Sequence, residues 1–327
     1  MSLEGAVLSA DIGGTGIGAG VVSARGEVHF ADEAPTLGGG PGSVLETLFA
    51  LLDRMRARAA EAGLGLAGCG LGVPGVVDHA AGRVGADVQN LPELAGCPLA
   101  ELVRARTQLP TVLDNDVNAL ALGEARFGAA RGLRSFVLLA LGTGVGAGVY
   151  LNGDIVRGAS GYGGELGHVT VKFDGRPCFC GGRGCLKTYV AGPDIAEQAR
   201  EALGEDAGGH LLALAGGDRA ALTARHVFDA AAAGDGLAGA IVERVCQALG
   251  AALGGIMNGL NPEAVVLTGG VAQSLEARLA DVLRWTRAYA FDGAYQAARV
   301  LVVRQTKTTS IRGAAALYLH EAGRGAR

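Results

Sequence analysis

One nine-residue motif occurs twice in the chain, as GTGIGAGVV at residues 14–22 and as GTGVGAGVY at residues 142–150, with seven of nine positions identical at an offset of 128 residues. Each copy follows a run of apolar residues that is typical of a buried strand, AVLSADI at 6–12 and SFVLLAL at 135–141. The alternative is a chance match in a chain rich in glycine and alanine. The shared position, directly after one strand and directly before another, favours duplication of a single supersecondary unit.

The segments around the two copies predict strands and helices in a similar order. After the first copy, the apolar residues of 43–63 recur at helical spacing, and LAGCGLGV at 66–73 returns as a strand. The second half continues with a loop insert, helices near 193–203 and 219–258, the strand AVVLTGG, a helix near 274–290 and the strand RVLVV. This order predicts an α/β protein with two related halves.

Composition limits the class of protein. The chain has 327 residues, of which 49% are hydrophobic and 18% charged, and its formal net charge is −4. That length and hydrophobic content predict a globular protein of two domains or two lobes. The absence of a run of basic residues argues against nucleic acid or a membrane surface as a partner. We find neither a signal peptide nor a run of about 18 apolar residues, so we expect a cytoplasmic, reducing compartment.

The two repeated loops suit a phosphate group. Their glycines leave backbone N–H groups unshielded, and each loop adds a threonine hydroxyl, at Thr15 and at Thr143. A dinucleotide-binding glycine loop opens a helix, whereas Gly20 leads into a strand-like run, which argues against an NAD enzyme. The usual P-loop motif is also absent from the sequence. Two phosphate hairpins, with Asp11 at the end of the first strand, therefore indicate a nucleotide held in a cleft with its metal near Asp11.

At these motifs the chain resembles the ROK family of sugar kinases and sugar-responsive repressors, members of the actin-like ATPase superfamily, over essentially its whole length. ADIGGTGIGAGVV resembles the family's first phosphate motif and ALGTGVGAGVYLNG resembles its second. The other motifs follow in the family's order: GLGVPGVVD at 70–78, NLPELAGCPL at 90–99, LDNDVNALALGEARFG at 113–128, GGELGH at 163–168 and VLTGGV at 266–271. The resemblance implies a two-lobed actin-like ATPase (ribonuclease H-like) fold with duplicated βββαβα units.

The resemblance also predicts domain boundaries and assembly. We expect residues 1–113 and the last helix, 312–327, to form the small lobe, and residues 114–311 to form the large lobe with a zinc-binding loop at 168–185. The two lobes are expected to close over sugar and ATP. Because the family commonly forms dimers or tetramers, we expect a homo-oligomer.

The motif LDNDVNA contains the predicted catalytic base. From the residues alone, Asp116 at a strand-to-helix junction is explained equally well as a helix N-cap and as a general base. The resemblance implies that Asp116 is the base and that Asn115 beside it holds the sugar. Asp114 is the weaker candidate, because strand alternation points its side chain the other way.

The resemblance assigns the remaining contacts residue by residue. Glu165 and His168 are expected to hydrogen-bond sugar hydroxyls, with Asn90 and the backbone at Gly75 completing the sugar pocket. Asp11 is expected to hold magnesium through water. The phosphates and the adenosine of ATP are expected at the glycine-rich turns: Gly13, Gly14, Thr15, Gly142, Thr143, Gly144, Gly269 and Gly270.

Three of the six cysteines lie close together in GHVTVKFDGRPCFCGGRGCLK at 167–187. His168 with Cys178, Cys180 and Cys185 supplies three sulfurs and one nitrogen, which is a closed tetrahedral set for structural zinc and resembles the family's zinc motif. A disulfide and buried free thiols are the alternatives. The resemblance gives His168 two roles, one ring nitrogen on zinc and the other toward the sugar, so loss of metal and loss of sugar affinity should be linked.

The sequence departs from the family at two positions. Gly16 stands where the first phosphate motif usually has lysine or asparagine. Lys187 stands where the family kinases carry a glutamate that contacts the sugar near its anomeric end, and a lysine cannot accept a hydrogen bond. We expect Lys187 either to point to solvent or to pair with Glu165 or with an acidic sugar substituent.

Two functions follow from the resemblance. The favoured one is an ATP-dependent kinase that makes a hexose 6-phosphate with Mg²⁺ and a structural zinc, with glucose as the default sugar and N-acetylhexosamine, mannose and fructose as rivals. The other is a catalytically weak or inactive sugar-binding regulator. Because the kinase strand starts at residue 6, we expect that regulator to lack a DNA-binding domain.

Overall fold

The computed structural model describes residues 5–36, 43–86, 88, 91–204, 209–306 and 308–324. The strands within these residues are β1 Ala6–Ile12, β2 Gly16–Val22, β3 Val28–Pro35, β4 Leu66–Val73, β5 Val77–Asp78, β6 Arg83–Val84, β7 Thr111–Asn115, β8 Phe136–Leu141, β9 Val145–Leu151, β10 Asp154–Ile155, β11 Ala264–Thr268 and β12 Arg299–Val302.

Helices separate the groups of strands along the chain. They are α1 Ser43–Glu61, α2 Leu99–Thr107, α3 Asp116–Phe127, α4 Lys187–Val190, α5 Gly192–Ala202, α6 His210–Leu214, α7 Ala224–Ala232, α8 Gly236–Leu260, α9 Gly270–Ser274, α10 Leu279–Tyr289, α11 Asp292–Ala297 and α12 Thr309–Arg324. Short 3₁₀ turns occur at Pro92–Leu94, Leu166–His168 and Glu276–Arg278.

Two five-stranded sheets share one strand order. The first runs β3-β2-β1-β4-β7 and the second runs β10-β9-β8-β11-β12. In the first sheet β1 pairs antiparallel with β2 and parallel with β4, and in the second sheet β11 pairs parallel with both β8 and β12. Because the repeated glycine loop follows β1 in one sheet and β8 in the other, the shared order confirms the predicted duplication.

The first sheet has its apolar strands at the centre and helices against its faces. Six of the seven residues of β1 are buried, which is why that strand reads as a nearly continuous apolar run. Helix α1 buries Val44, Leu48, Leu51 and Met55 at helical spacing. Helix α12 lies so close to β4 that a Cβ at Gly70 would overlap the carbonyl of Ala314. Close approaches of this kind account for part of the high glycine content.

The chain divides into two compact units. The first comprises Met1–Arg134, Gly148–Gly164 and Gln305–Arg327, and the second comprises Ser135–Ala147 and Glu165–Arg304. This division keeps residues 114–134 with the first unit, whereas the sequence prediction placed them in the large lobe. The lobe boundaries 1–113 with 312–327 and 114–311 stay a prediction.

Helix α8 is the central helix of the second unit. It is long and apolar enough to cross a membrane, but 67% of its most apolar window is buried inside the protein. Its buried side chains include Ile241, Val245, Leu249 and Leu253. A helix that is apolar nearly all round belongs in the core of a folded unit.

Candidate active site and metal centre

The junction of β7 and α3 carries the predicted base. Asn115 is the N-cap of α3, because its side-chain oxygen accepts hydrogen bonds from the N–H groups of Val117 at 2.9 Å and Asn118 at 3.2 Å. Its amide nitrogen donates to the carbonyl of Gly75 at 3.0 Å, and Gly75 has the left-handed φ of 85° that favours glycine. The capping role therefore falls to Asn115, and Asp116 occupies the first position of the helix itself.

Asp116 has the electrostatic environment of a proton acceptor. Burial, together with the negative charge of Asp11, raises the pKa of Asp116 to about 7. Burial also raises the pKa of Asp11, although a hydrogen bond with the side chain of Ser310 partly opposes that effect. Gly72 makes room for the pair, since a Cβ there would lie 3.2 Å from Oδ1 of Asp11 and 3.4 Å from Cα of Asp116. The Asp11 carboxylate is an oxygen ligand of the kind that Mg²⁺ prefers.

Protein donors hold both oxygens of the Asp114 carboxylate. It is buried, and its Oδ1 accepts hydrogen bonds from the Asn115 N–H at 2.7 Å and from Nδ2 of Asn118 at 2.9 Å. Its Oδ2 accepts from Nε of Arg157 at 2.8 Å. Both oxygens of this carboxylate already hold protein donors, so Asp114 stays the weaker candidate for the base.

Each unit carries one glycine turn of the repeated motif. In the first unit the turn after β1 is closed by a hydrogen bond from Gly13 N–H to the Gly16 carbonyl at 2.9 Å, and in the second unit the turn after β8 is closed from Gly142 N–H to Gly144 at 3.0 Å. The threonines of both turns, Thr15 and Thr143, are exposed. A Cβ at Gly142 or Gly144 would meet nothing within 4 Å. The space above the second turn is therefore open to a ligand.

The predicted adenosine position has a backbone that requires glycine. Gly269 ends the loop after β11 with a φ of 97°, and a Cβ there would overlap the carbonyl of Leu141. Gly270 then begins α9, and a Cβ at Gly270 would meet nothing within 4 Å. The second unit thus brings Gly269 close to β8, directly before the turn that contains Thr143.

His168, Cys178, Cys180 and Cys185 form a compact cluster in the second unit. Their ligand atoms all lie within 4.8 Å of one another. Sγ of Cys180 and Sγ of Cys185 are 3.7 Å apart, and Sγ of Cys178 is 3.5 Å from Nδ1 of His168. Tetrahedral zinc with Zn–S near 2.3 Å and Zn–N near 2.0 Å places two sulfurs about 3.8 Å apart and a sulfur and a nitrogen about 3.5 Å apart. The cluster therefore fits a zinc ion, and the sulfurs are too far apart for a disulfide.

The ring of His168 is oriented for two partners. Nδ1 faces the sulfurs, so Nε2 points away from them, and the ring packs edge-on against Phe179 with centroids 5.1 Å apart. A backbone hydrogen bond from Gly182 lowers the pKa of Cys180, whereas burial and the neighbouring thiols raise the pKa of Cys185 to about 12. Zinc binds thiolates, so a bound ion would stabilise the deprotonated form of Cys185, which burial otherwise disfavours.

Lys187 pairs with a carboxylate that the sequence analysis did not consider. Its Nζ lies 3.0 Å from Oδ2 of Asp194 and 4.9 Å from the ring centroid of Phe179. The side chain is only 20% exposed. The expectation that it points to solvent or pairs with Glu165 is wrong: α4 ends at Val190 and α5 begins at Gly192, and this change of direction brings Asp194 back to Lys187. Pairing with an acidic sugar substituent stays a prediction.

Some predicted site residues lie outside the described residues or at the surface, and the structure adds other residues to the site. Asn90 lies outside the described residues, and Glu165 is an exposed residue directly before the 3₁₀ turn that contains His168. Gly72, Ser310 and Asp194 were not predicted as site residues: Gly72 lies within the motif GLGVPGVVD, whereas Ser310 and Asp194 lie in none of the quoted motifs. A cavity of about 410 Å³ in the first unit lies against α3 and α12 but is lined by none of the predicted site residues.

Comparison with known proteins supplies the family. The family model described as "ROK family" matches residues 7–321. A glucokinase of Halalkalibacterium halodurans is 37% identical over 86% of this chain and 84% of its own length. A xylose repressor of Caldicellulosiruptor bescii is 28% identical over 80% of this chain and 65% of its own length.

Solved structures agree with the sequence comparison. The crystal structure of a ROK family glucokinase from Streptomyces griseus, in complex with glucose and AMPPNP, has a TM-score of 0.78 and 30% identity and covers 96% of this chain and 99% of its own. A ROK hexokinase from Thermus thermophilus has a TM-score of 0.80 and 30% identity, with 97% and 99% of the two chains covered. The chain therefore belongs to the ROK family and has the two-lobed actin-like ATPase fold that the resemblance to this family implied.

Proposed function

We propose that this protein is an ATP-dependent hexokinase that transfers the γ-phosphoryl group of ATP to the 6-hydroxyl of glucose. The observation that carries the proposal is the Asp116 carboxylate, which lies at the β7–α3 junction beside Asn115 with a pKa of about 7. A base with that pKa is poised to accept a proton at neutral pH. The glucokinases of Halalkalibacterium halodurans and Streptomyces griseus support both the reaction and the sugar.

In the proposed mechanism Asp116 accepts the proton of the sugar 6-hydroxyl as that oxygen bonds to the γ-phosphorus. The bond from the γ-phosphorus to the bridging oxygen breaks, and ADP leaves with the bonding electron pair. The Asn115 amide, whose orientation is set by Gly75 and by the N–H groups of α3, orients the sugar. The N–H groups of the two glycine turns and the hydroxyls of Thr15 and Thr143 bind phosphate oxygens. Mg²⁺, when bound near Asp11, neutralises phosphate charge.

The metal cluster has a structural part in this proposal. With three sulfurs and one nitrogen, its coordination is complete, which leaves no position for a substrate. We propose that zinc fixes the loop from His168 to Cys185 and holds Nδ1 of His168, so that Nε2 is free to donate to or accept from a sugar hydroxyl. Glu165, three residues earlier, would contact the same sugar.

The proposal is tested by measuring ADP release with ATP, Mg²⁺ and a panel of glucose, mannose, fructose and N-acetylhexosamines. We expect turnover on glucose to exceed the hexose-free background by several orders of magnitude. ADP release that is independent of every hexose would contradict a sugar kinase. A cytoplasmic location, a homo-oligomeric state and the absence of nucleic acid and membrane partners also stay proposals.

The pairing of Lys187 with Asp194 favours a second candidate, a sugar-binding protein with weak or no catalysis. A lysine held by its own carboxylate partner offers the sugar no acceptor at this position. The 28% identical xylose repressor is a relative that is named as a regulator. This candidate predicts sugar binding without sugar-dependent ADP release, so the same hexose panel separates the two functions.

The double substitution Lys187→Glu/Asp194→Asn tests whether Lys187 limits sugar affinity. A missing hydrogen bond to a charged acceptor lowers affinity by roughly ten- to a hundredfold. We expect the double variant to lower the apparent KM for glucose toward that extent and to leave kcat at saturating glucose within a few-fold. The single variant Lys187→Glu is the matched comparison, because it places a new carboxylate beside that of Asp194 and the two negative charges repel each other. Unchanged glucose kinetics in the double variant would assign the position no part in sugar binding.

A further inference from the structure

Four ionisable side chains of the first unit meet at the β7–α3 junction, next to the predicted base. They are Asp114 at the end of β7, Arg157 after β10, Glu321 on α12 and His79 after β5. One guanidinium nitrogen of Arg157 lies 2.8 Å from Oδ2 of Asp114 and 3.4 Å from Oε1 of Glu321. Nε2 of His79 lies 3.3 Å from the same Glu321 oxygen. We call Asp114, Arg157, Glu321 and His79 the junction cluster.

The junction cluster is attached directly to the backbone that carries the base. Asp114 accepts from the N–H of Asn115 and from the side chain of Asn118, and His79 Nδ1 bonds the carbonyl of Leu113 at 2.9 Å. The cluster therefore contacts the residues before and after the junction, on both sides of Asp116. Asn115 in turn contacts Gly75, so a shift of Asp114 would move both predicted sugar-side groups.

Burial makes the orientation of Asp114 depend on Arg157. The side chain of Asp114 is only 3% exposed and that of Arg157 is 17% exposed. A buried carboxylate needs its cation and its hydrogen bonds, and removal of one partner leaves an uncompensated charge. Glu321 stays ionised, because hydrogen bonding to His79 lowers its pKa to about 2. The cluster is thus a mostly buried network of paired groups, in which Glu321 also lies 3.8 Å from Arg324.

Helix α12 connects this cluster to the other carboxylate of the site. Ser310 in the first turn of α12 hydrogen-bonds Asp11, and Glu321 near the end of the same helix contacts Arg157. The long axis of one rigid helix therefore joins the environments of Asp11 and of Asp114.

We propose that Arg157 and Asp114 are positioning residues for the phosphoryl transfer: the Arg157–Asp114 pair fixes the β7–α3 junction and thereby the directions of the Asn115 amide and the Asp116 carboxylate. This inference rests on the proposed function, because it concerns the same base. Misplacement of a catalytic group by about 1 Å can lower a rate by about 10². The pair is thus expected to act on turnover and on sugar affinity together.

The test compares Arg157→Met, Asp114→Asn and their double variant with Arg54→Met, which removes an exposed ion pair to Asp32 in the same unit. We expect Arg157→Met to lower kcat by at least about tenfold and to weaken glucose binding a few-fold, with the KM for ATP nearly unchanged. The double variant should lose no more than the worse single variant, since the two residues act as one unit. Arg54→Met should match the wild type.

Two further readouts separate positioning from stability and from the proposed function. If Arg157→Met lowers only the melting temperature, while kcat per folded molecule and glucose affinity stay within twofold of the wild type, the positioning role is wrong. Glucose affinity by calorimetry does not need turnover. If the wild type binds glucose without phosphorylating it, the proposed function is wrong. A weaker glucose affinity of Arg157→Met would then still support the positioning of the Asn115 amide. A wild type that binds no hexose overturns both.

Discussion

Asp116→Asn should lower kcat by at least about 10² while glucose affinity stays within a few-fold of the wild type, because the substitution removes the proton acceptor and keeps the shape of the side chain. The amide oxygen can still accept from the Val117 N–H, as Oδ1 of Asp116 does at 2.9 Å. Steady-state kinetics at saturating glucose and ATP, with glucose affinity by calorimetry, gives both quantities.

The matched control for this variant is Asp32→Asn, which removes an exposed carboxylate of β3 that pairs with Arg54. We expect that control to retain wild-type kinetics. A kcat of Asp116→Asn within tenfold of the wild type would place the base elsewhere.

The same variant should be more stable than the wild type at alkaline pH. The pKa of Asp116 is about 7 in the folded protein and 3.8 in the reference state, so the folded state holds this proton more tightly. The contribution of Asp116 to the free energy of unfolding is therefore complete below about pH 4 and is lost as the pH rises through about 7. We expect Asp116→Asn to exceed the wild type in melting temperature at pH 8 and to match it at pH 4. Equal melting temperatures at both pH values would contradict the raised pKa.

Cys180→Ser should remove the metal and weaken glucose binding in one step. The wild type should carry about one zinc per chain, and a serine hydroxyl is a poor replacement for a thiolate ligand, so most of the zinc should be lost. Without the ion, Nδ1 of His168 loses its partner and the ring loses its fixed orientation. Elemental analysis of freshly purified protein and glucose calorimetry measure the two effects.

Cys97→Ser is the control, because Cys97 lies in the first unit outside the cluster. It should keep both zinc and glucose affinity. Wild-type protein without zinc would contradict the metal centre. If Cys180→Ser loses zinc but keeps its glucose affinity, the metal centre is supported and only the proposed contact of His168 with the sugar is wrong.

The repeated fold was predictable because its signals are local. An apolar run followed by GTG and a second apolar run specifies a buried strand, a tight turn and a second strand wherever it occurs. The same holds for the metal cluster, whose C-x-C-G-x-x-G-C spacing already limits how far apart the sulfurs can lie. In both cases the residues that decide the structure lie in one short segment, 6–22 for the first strand pair and 168–185 for the metal cluster.

The undecided and wrong predictions concern side chains whose partners are set by the tertiary structure and not by a local motif. Asn115 and Asp116 are adjacent, and both residue types are good N-caps, so the sequence does not decide between them. In the structure Asn115 is the N-cap, and its side chain also contacts Gly75, 40 residues earlier. Lys187 has Asp194 as its partner only because α5 returns toward the start of α4. Arg157 and Glu321 are 164 residues apart in sequence, so no motif could have placed them together behind Asp114.

The transfer of phosphate to the sugar 6-hydroxyl is the central claim, and phosphorus NMR of a reaction of the wild type with ATP, Mg²⁺ and glucose tests it most directly. We predict that the γ-phosphate signal of ATP is replaced by that of glucose 6-phosphate, with ADP in equal amount. In a parallel reaction 6-deoxyglucose, which lacks the accepting hydroxyl, should compete with glucose but yield no sugar phosphate. A phosphate product on 6-deoxyglucose, or ADP and inorganic phosphate without glucose 6-phosphate, would contradict the account.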